Sequence, residues 1–267
     1  MTASLILVYL AAGATAGFLA GLLGVGGGVV IVPILMFIFT TLHFPALHMM
    51  HLAIGTSLAS IMFTSLSSLR AHHAHGAVRW DIVKRITPGI LTGTLSGTFF
   101  ASRLPAGLLK GLFVLFVLYV ATQLLLNLKA RPGRELPGML GMSCMGGIIG
   151  TVSSFVGIGG GALSVPFMTA CNIKVHQAIG TSAALGFPIA VAGTIGYALN
   201  GLGASELPSY SLGYIHLPSL AGMVIASTAF APYGVRAAHR LPVATLKKIF
   251  ALFLYLMCAK LLIGMTL

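Results

Sequence analysis

Acidic residues are almost missing from this sequence. Only three carboxylates, Asp81, Glu135 and Glu206, occur among 267 residues, and charged residues of both signs make up 7% of the chain. Soluble domains carry about 25% charged residues, so this chain has too little charge to cover a globule in water. The same shortage excludes a cation site built from carboxylates and any paired acid for catalysis. We therefore expect a protein that is not an enzyme.

Cysteine is scarce as well. The three cysteines, Cys144, Cys171 and Cys258, are scattered through apolar segments and show no ligand spacing, so we expect buried thiols and neither a metal site nor a cofactor. His43, His48 and His51 are closely spaced, which keeps metal-ion transport open as a less favoured alternative.

Long apolar runs dominate what is present. Hydrophobic residues make up 57% of the chain, the mean hydropathy is +1.02, and residues 1–69 contain no charged side chain. A spanning helix needs about 20 apolar residues, so the charge-free runs predict nine or ten helices. The sequence therefore predicts an all-α polytopic protein embedded in the lipid bilayer of the cytoplasmic membrane. Its net charge of +12 comes from basic residues between these runs, where they set orientation, and no nucleic-acid partner is expected.

The chain repeats itself in three blocks that recur in the same order. The blocks are 24–33 and 157–166, 51–57 and 176–182, and 103–113 and 240–250. Their recurrence divides the chain into a first transmembrane repeat, 1–134, and a second, 135–267.

The distribution of Lys and Arg predicts that the two repeats have opposite orientations. If the halves are inverted, twelve basic residues outside the helices fall on the cytoplasmic side and two on the other, whereas parallel halves give seven on each side. Positive residues favour the cytoplasmic side, so inversion is preferred. It places loops 70–85, 129–138 and 236–248 in the cytoplasm and the N-terminus outside.

Inversion requires an odd number of crossings in each half. The first half shows five apolar segments, 4–23, 29–42, 51–69, 86–102 and 111–128. The second segment is short, so the first two either cross separately or form a re-entrant hairpin that leaves three crossings. Inverted repeats are the architecture of many secondary transporters.

Glycine runs interrupt a helix at matching places in the two halves. Each glycine costs a helix about 1 kcal/mol relative to alanine, and open backbone at membrane depth is tolerated only against protein or a cavity. Paired breaks near the midplane indicate a binding site, and a helix start there offers N–H groups to an anion. The candidate residues are Gly26, Gly27, Gly28, Gly159, Gly160 and Gly161. Close helix packing is the alternative explanation. As a test, we expect leucine at Gly27 or Gly160 to abolish transport in a folded protein.

Two further pairs of repeated residues are candidates. The hydroxyls of Thr56, Ser57, Thr181 and Ser182 either donate to an oxyanion or bond back to the preceding helical turn. His51 and His176 either carry a proton with the solute or cap helix starts. Lys260, in the last helix, either has a function or extends its charged end to the membrane surface.

These motifs resemble those of the TauE/SafE family of sulfite exporters and related anion permeases. The resemblance rests on the glycine-rich segments 24–33 and 157–166 and on the Ala-x-Gly-Thr-Ser elements 53–57 and 178–182, and it spans the whole chain. It implies transport of sulfite or another small sulfur-containing or organic anion.

Together these features predict a secondary transporter that moves a small anion by alternating access of two inverted halves. An anion channel with the same motifs is the alternative. The sequence specifies neither the anion nor the direction, and a homodimer stays open.

Overall fold

The computed structural model describes residues 3–23, 27–126, 133, 135–240 and 243–266. Within these residues the chain forms helices and one two-stranded hairpin. The first half contains α1 (Ala3–Leu23), α2 (Gly28–Thr41), α3 (Ala46–Ala74), α4 (Trp80–Ala101) and α5 (Ala106–Leu125). The second half contains α6 (Met139–Val156), α7 (Gly161–Ala170), α8 (Val175–Gly201), β1 (Ser211–Leu212), β2 (Ile215–His216), α9 (Leu217–Arg240) and α10 (Val243–Thr266).

The prediction of an all-α polytopic membrane protein is confirmed. Helices α3, α5, α6 and α8 are each long and apolar enough to cross a membrane, and α2 and α7 are shorter apolar helices. In lipid the backbone must satisfy its own hydrogen bonds, which a helix does within one segment. The five segments predicted for the first half correspond to α1–α5, although α3, α4 and α5 begin five or six residues before their predicted segments.

Helices α1 and α2 form a hairpin whose turn lies inside the bundle. Gly28, at the start of α2, lies against Ile61, which is near the middle of α3. Helix α2 then returns toward the start of α3, where Phe39 stacks on Phe44 with ring centroids 4.8 Å apart. Helices α6 and α7 follow the same plan. Helices α1 and α6 have 21 and 18 residues, close to the length of a spanning helix, so the choice between separate crossings and a re-entrant hairpin stays open.

The inner helices α3 and α8 pack against each other in opposite directions. Gly55 lies beside Tyr197, Leu58 beside Gly193, and Ser65 beside Gly186, so positions rise along α3 as they fall along α8. These two helices carry the repeated Gly-Thr-Ser element, so equivalent segments of the two halves run antiparallel where they meet.

The hairpin helices pack on the opposite half, and this contact also recurs. Gly13 and Gly17 of α1 lie against the backbone of Met223 and Ser227 in α9. In the second half, the equivalent Gly146 and Gly150 of α6 lie against the backbone of Ile86 and Ile90 in α4. Small residues let membrane helices approach this closely. The same backbone contacts thus occur twice, at positions that the repeat makes equivalent.

The connection after each inner helix differs between the halves. Residues 75–79 join α3 to α4, whereas residues 202–216 join α8 to α9 and contain the β1–β2 hairpin. The Tyr214 backbone N–H donates to the Tyr197 carbonyl over 3.2 Å, which seats this hairpin against α8. Tyr214 also abuts Gly55 of α3, as Ala77 abuts Gly180 of α8.

Candidate functional site

The two glycine breaks end in the same backbone conformation. Gly27 and Gly160 precede α2 and α7 with φ angles of 77° and 76°, the left-handed region that favours glycine. The Gly27 carbonyl accepts from Val30 and Ile31, as the Gly160 carbonyl accepts from the third and fourth residues after it. The predicted site residue Gly26 lies outside the described residues.

The second break exposes a row of backbone N–H groups to the interior. Within the described chain, the N–H groups of Gly159, Gly160, Gly161 and Ala162 have no hydrogen-bond acceptor, although all four residues are buried. Buried backbone N–H groups are paired in the great majority of cases. The first turn of every helix leaves such groups without an intrahelical acceptor, and where that turn is buried, as here, it gives a positively polarised environment that suits an anion.

The first break meets the second beside the inner helix α3. Gly28 lies against the carbonyl of Gly157, and a Cβ at Gly28 would stand 2.9 Å from Cδ1 of Ile61. The Ser57 hydroxyl donates to the same Gly157 carbonyl over 2.9 Å. The structure therefore brings both glycine segments and Ser57 together.

Space around the glycines is closed by neighbouring side chains. A Cβ at Gly160 would lie 2.5 Å from Cδ1 of Ile189, 3.0 Å from Cγ2 of Ile149 and 3.4 Å from Oγ of Ser153. A Cβ at Gly27 would lie 2.7 Å from the carbonyl oxygen of Ala16. With φ near +76° as well, leucine at either glycine is strained. Both leucine variants are therefore expected to lose stability, so their transport has to be compared at equal amounts of folded protein.

Ser182, equivalent to Ser57 by the repeat, also contacts the second glycine hairpin. Its hydroxyl accepts a 2.8 Å hydrogen bond from Ser164 in α7, and both residues are fully buried. Ser57 and Ser182 thus border the same hairpin from α3 and α8.

Thr56 and Thr181 each accept a hydrogen bond from a backbone N–H group of the other half of the chain. The Thr56 hydroxyl accepts from the backbone N–H of His216 over 2.9 Å, and the Thr181 hydroxyl accepts from that of Arg79 over 3.0 Å. Each residue anchors the segment that leads into α9 or α4. Thr56 lies in the first half of α3, whereas Thr181 contacts the connection that follows α3. The helical rise along α3 separates these two places by on the order of 20 Å. The structure does not bring these two hydroxyls to one site.

His51 and His176 lie at opposite ends of the molecule, because α3 and α8 are antiparallel. His51 is buried, its Nε2 lies 3.1 Å from the Leu104 carbonyl, and its ring stacks on Tyr214. His176 is exposed. The two histidines therefore cannot act on one bound solute together, and a transport role for either stays a prediction.

Lys260 is exposed on α10, and its Nζ lies 3.8 Å from the centre of the Phe37 ring on α2. This cation–π contact gives the lysine a partner that the sequence did not indicate. In the described part of the chain, no three His, Cys, Asp or Glu side chains gather in a way that could hold a metal ion.

Sequence reasoning missed several buried hydroxyls. Ser60, Ser68 and Thr94 are almost completely buried, and among the described residues their oxygens have no hydrogen-bond partner. The four-residue spacing of Ser60, Thr64 and Ser68 was the available signal, because it places all three on one helix face.

Comparison with known proteins gives one family. The family model described as "Sulfite exporter TauE/SafE" matches residues 9–261. A "Probable membrane transporter protein" of Haemophilus influenzae is 41% identical over 250 residues, which cover 93% of this chain and 95% of the relative. The "Probable membrane transporter protein YdhB" of Bacillus subtilis is 29% identical, over 69% of this chain and 76% of its own length. No solved structure matches the chain.

Proposed function

Since the chain belongs to the sulfite exporter TauE/SafE family, we propose that it carries a small sulfur-containing anion across the cytoplasmic membrane. It is a multi-pass membrane transporter and not an enzyme. The anion class comprises sulfite, related oxyanions and organosulfonates.

The observation that carries this proposal is the row of unpaired N–H groups at Gly159, Gly160, Gly161 and Ala162. An oxyanion has several acceptor oxygens. Backbone N–H groups at a helix start can bind it without a basic side chain. A cation would meet the wrong end of these dipoles. The carboxylates Asp81 and Glu206 lie outside this cluster, in the first turn of α4 and in the connection before β1.

Alternating access by two inverted halves is the second part of the proposal. The antiparallel packing of α3 on α8 supports it, because equivalent helices related by a two-fold axis in the membrane plane must run in opposite directions. The burial of Gly27, Gly28 and residues 157–161 corresponds to an occluded state, from which each half opens the site in turn.

Anion binding can be tested on the purified protein by thermal shift. Sulfite, thiosulfate and sulfoacetate, each as a sodium salt, are compared with sodium chloride and with nickel chloride. We expect at least one sulfur-containing anion to raise the melting temperature at millimolar concentration. Stabilisation by nickel alone, with no response to any anion, would support metal transport instead.

Carrier and channel differ in proteoliposomes. A carrier exchanges labelled solute against unlabelled solute trapped inside and saturates with concentration, whereas a channel passes current that rises with voltage. We expect counterflow of the anion that stabilises the protein. Current without counterflow would identify a channel.

A further inference from the structure

A row of buried polar side chains lies where α3 packs against α9 and α1, and this region is closed in the structure. The Thr64 hydroxyl donates to that of Ser227 over 2.7 Å, and the Ser67 hydroxyl donates to the Thr228 carbonyl over 2.9 Å. His72, two turns after Thr64, has Nε2 3.1 Å from the Gly21 carbonyl of α1. Ser68 lies on the same face between Thr64 and His72. We call this region the first cleft.

The hydroxyls of Ser60 and Ser68 are unexplained by the fold. Ser60 is 0% exposed and Ser68 is 2% exposed, and neither oxygen has a partner among the described residues. A buried hydroxyl left unpaired costs about 1–3 kcal/mol. Alanine at these positions would pack without that cost, so the fold itself gives no reason for the hydroxyls.

The equivalent region of the second half, where α8 and α6 pack against α4, also contains buried polar side chains and is closed in the structure. Thr94 is fully buried and its hydroxyl has no partner within the described chain; this oxygen would stand 2.7 Å from a Cβ at Gly150 of α6. The Tyr197 hydroxyl donates to the Ser154 carbonyl over 2.8 Å. We call this region the second cleft.

The hydroxyls of the two clefts do not stand at equivalent positions. By the repeat offsets, Ser60, Thr64 and Ser68 correspond to Leu185, Ile189 and Gly193, and Thr94 corresponds to Ala231. Duplication of one ancestral half therefore does not account for them. Each cleft has its own buried hydroxyls, although the fold tolerates apolar residues at the matching places.

We propose that the first and second clefts are the two half-pathways along which the anion leaves the glycine site. This inference rests on the proposed function. The first cleft runs from Ser57, beside Gly157, toward the end of α3, and the second runs along α8 toward its own end. Because α3 and α8 are antiparallel, the two clefts lead to opposite faces of the membrane. Their unpaired hydroxyls replace part of the hydration shell that the anion loses.

Removing the hydroxyls separates this role from a structural one. Thr94→Val keeps the shape of the side chain, and since the oxygen has no partner, the melting temperature should stay the same or rise. Transport should fall at least fivefold. Thr92→Val is the matched control on the same helix, because Thr92 is exposed and bonds only within its own helix.

The paired change Ser60→Ala with Ser68→Ala tests the first cleft. Wild-type transport in these variants would overturn the proposal.

Sidedness can be tested without knowledge of the solute. Ser68→Cys and Thr94→Cys are treated with 2-sulfonatoethyl methanethiosulfonate, itself a small sulfonate, in vesicles of either orientation. The parent protein already contains three cysteines, so its background labelling is subtracted from that of each variant. We expect Ser68→Cys to react from the face that carries residues 75–79 and Thr94→Cys from the other, while the exposed helix-surface control Ser96→Cys does not react. Reaction of both from one face, or of neither, overturns the half-pathways even if sulfite is transported. Opposite labelling with no anion transported would instead contradict the proposed function alone.

Discussion

At the scale of single residues, hydroxyls join the two halves through backbone groups. Ser57 binds the Gly157 carbonyl, Thr56 the N–H of His216, and Thr181 the N–H of Arg79, all between residues at least 100 positions apart. Hydrogen bonds gain strength where water is excluded, and an unmade one costs more there. These contacts therefore fix how the glycine breaks sit on the inner helices.

Ser57→Ala should destabilise the protein. The change removes the 2.9 Å hydrogen bond to the Gly157 carbonyl and leaves that oxygen buried with one partner fewer, which costs about 1–3 kcal/mol. The measurement is thermal unfolding in detergent. Ser96→Ala is the control, because Ser96 is exposed and bonds to carbonyls of its own helix. Equal melting temperatures for the two variants would contradict this prediction.

His216, in the hairpin strand β2, makes stability depend on pH. Burial lowers its pKa from 6.5 to about 4, and its Nδ1 lies 2.7 Å from the Ser219 hydroxyl. A depressed histidine pKa means that the folded state holds the neutral ring. The contribution of the neutral ring to the free energy of unfolding should be fully present above pH 6.5. It should fall by on the order of 3 kcal/mol as the pH drops toward 4.

The variant His216→Asn isolates this effect, since it keeps a polar group near the position of Nδ1 and cannot take up the proton. Melting curves between pH 8 and pH 4 should show a smaller acid-side loss for the variant than for the wild type. Parallel curves over this range would assign the acid sensitivity to other groups.

At the scale of elements, the glycine hairpins combine an unusual backbone with close packing. Gly160 has φ +76° and its Cβ position is occupied by Ile189, whereas Gly111 in α5 has nothing within 4 Å of its Cβ position. Gly160→Ala should therefore lower the melting temperature, because an L residue there is strained by about 1 kcal/mol or more. Gly111→Ala should raise it through better helix propensity. The reverse order would show that the left-handed turn is not needed.

The sequence predicted these elements better than it predicted their partners. Charge-free runs located the helices, and the repeat located both breaks, since periodicity and glycine content are local properties. The partner of Ser57 is 100 residues away, and no local pattern carries that information. The repeat grouped His51 and His176 as candidates for one site, although inversion places residues near the start of antiparallel equivalent helices at opposite ends. The β1–β2 hairpin had no counterpart in the first half from which to infer it.

At the scale of the whole molecule, contacts repeat when the halves are exchanged. Helix α1 lies on α9 as α6 lies on α4, and the inner helices cross each other. Several features have an equivalent in the other half. They are the glycine breaks, the hydroxyls at Thr56 and Thr181, and the glycines at the α1–α9 contact. The polar side chains of the clefts have no such equivalent, so the two halves differ in these two regions.

The topology can be tested by labelling introduced cysteines. His75→Cys and Ser205→Cys place a thiol just after α3 and just after α8, in connections with no membrane-spanning helix of their own. The basic residues of 70–85 predict a cytoplasmic position for His75, and the connection near Ser205 contains Glu206 and no Lys or Arg, which predicts a position outside. The antiparallel packing of α3 on α8 requires the two positions to lie on opposite sides, independently of charge. In intact cells an impermeant maleimide should label Ser205→Cys at once and His75→Cys only after the membrane is opened. Labelling of both from the same side would show that the halves are parallel, and the paired glycine breaks could then not serve two opposite openings.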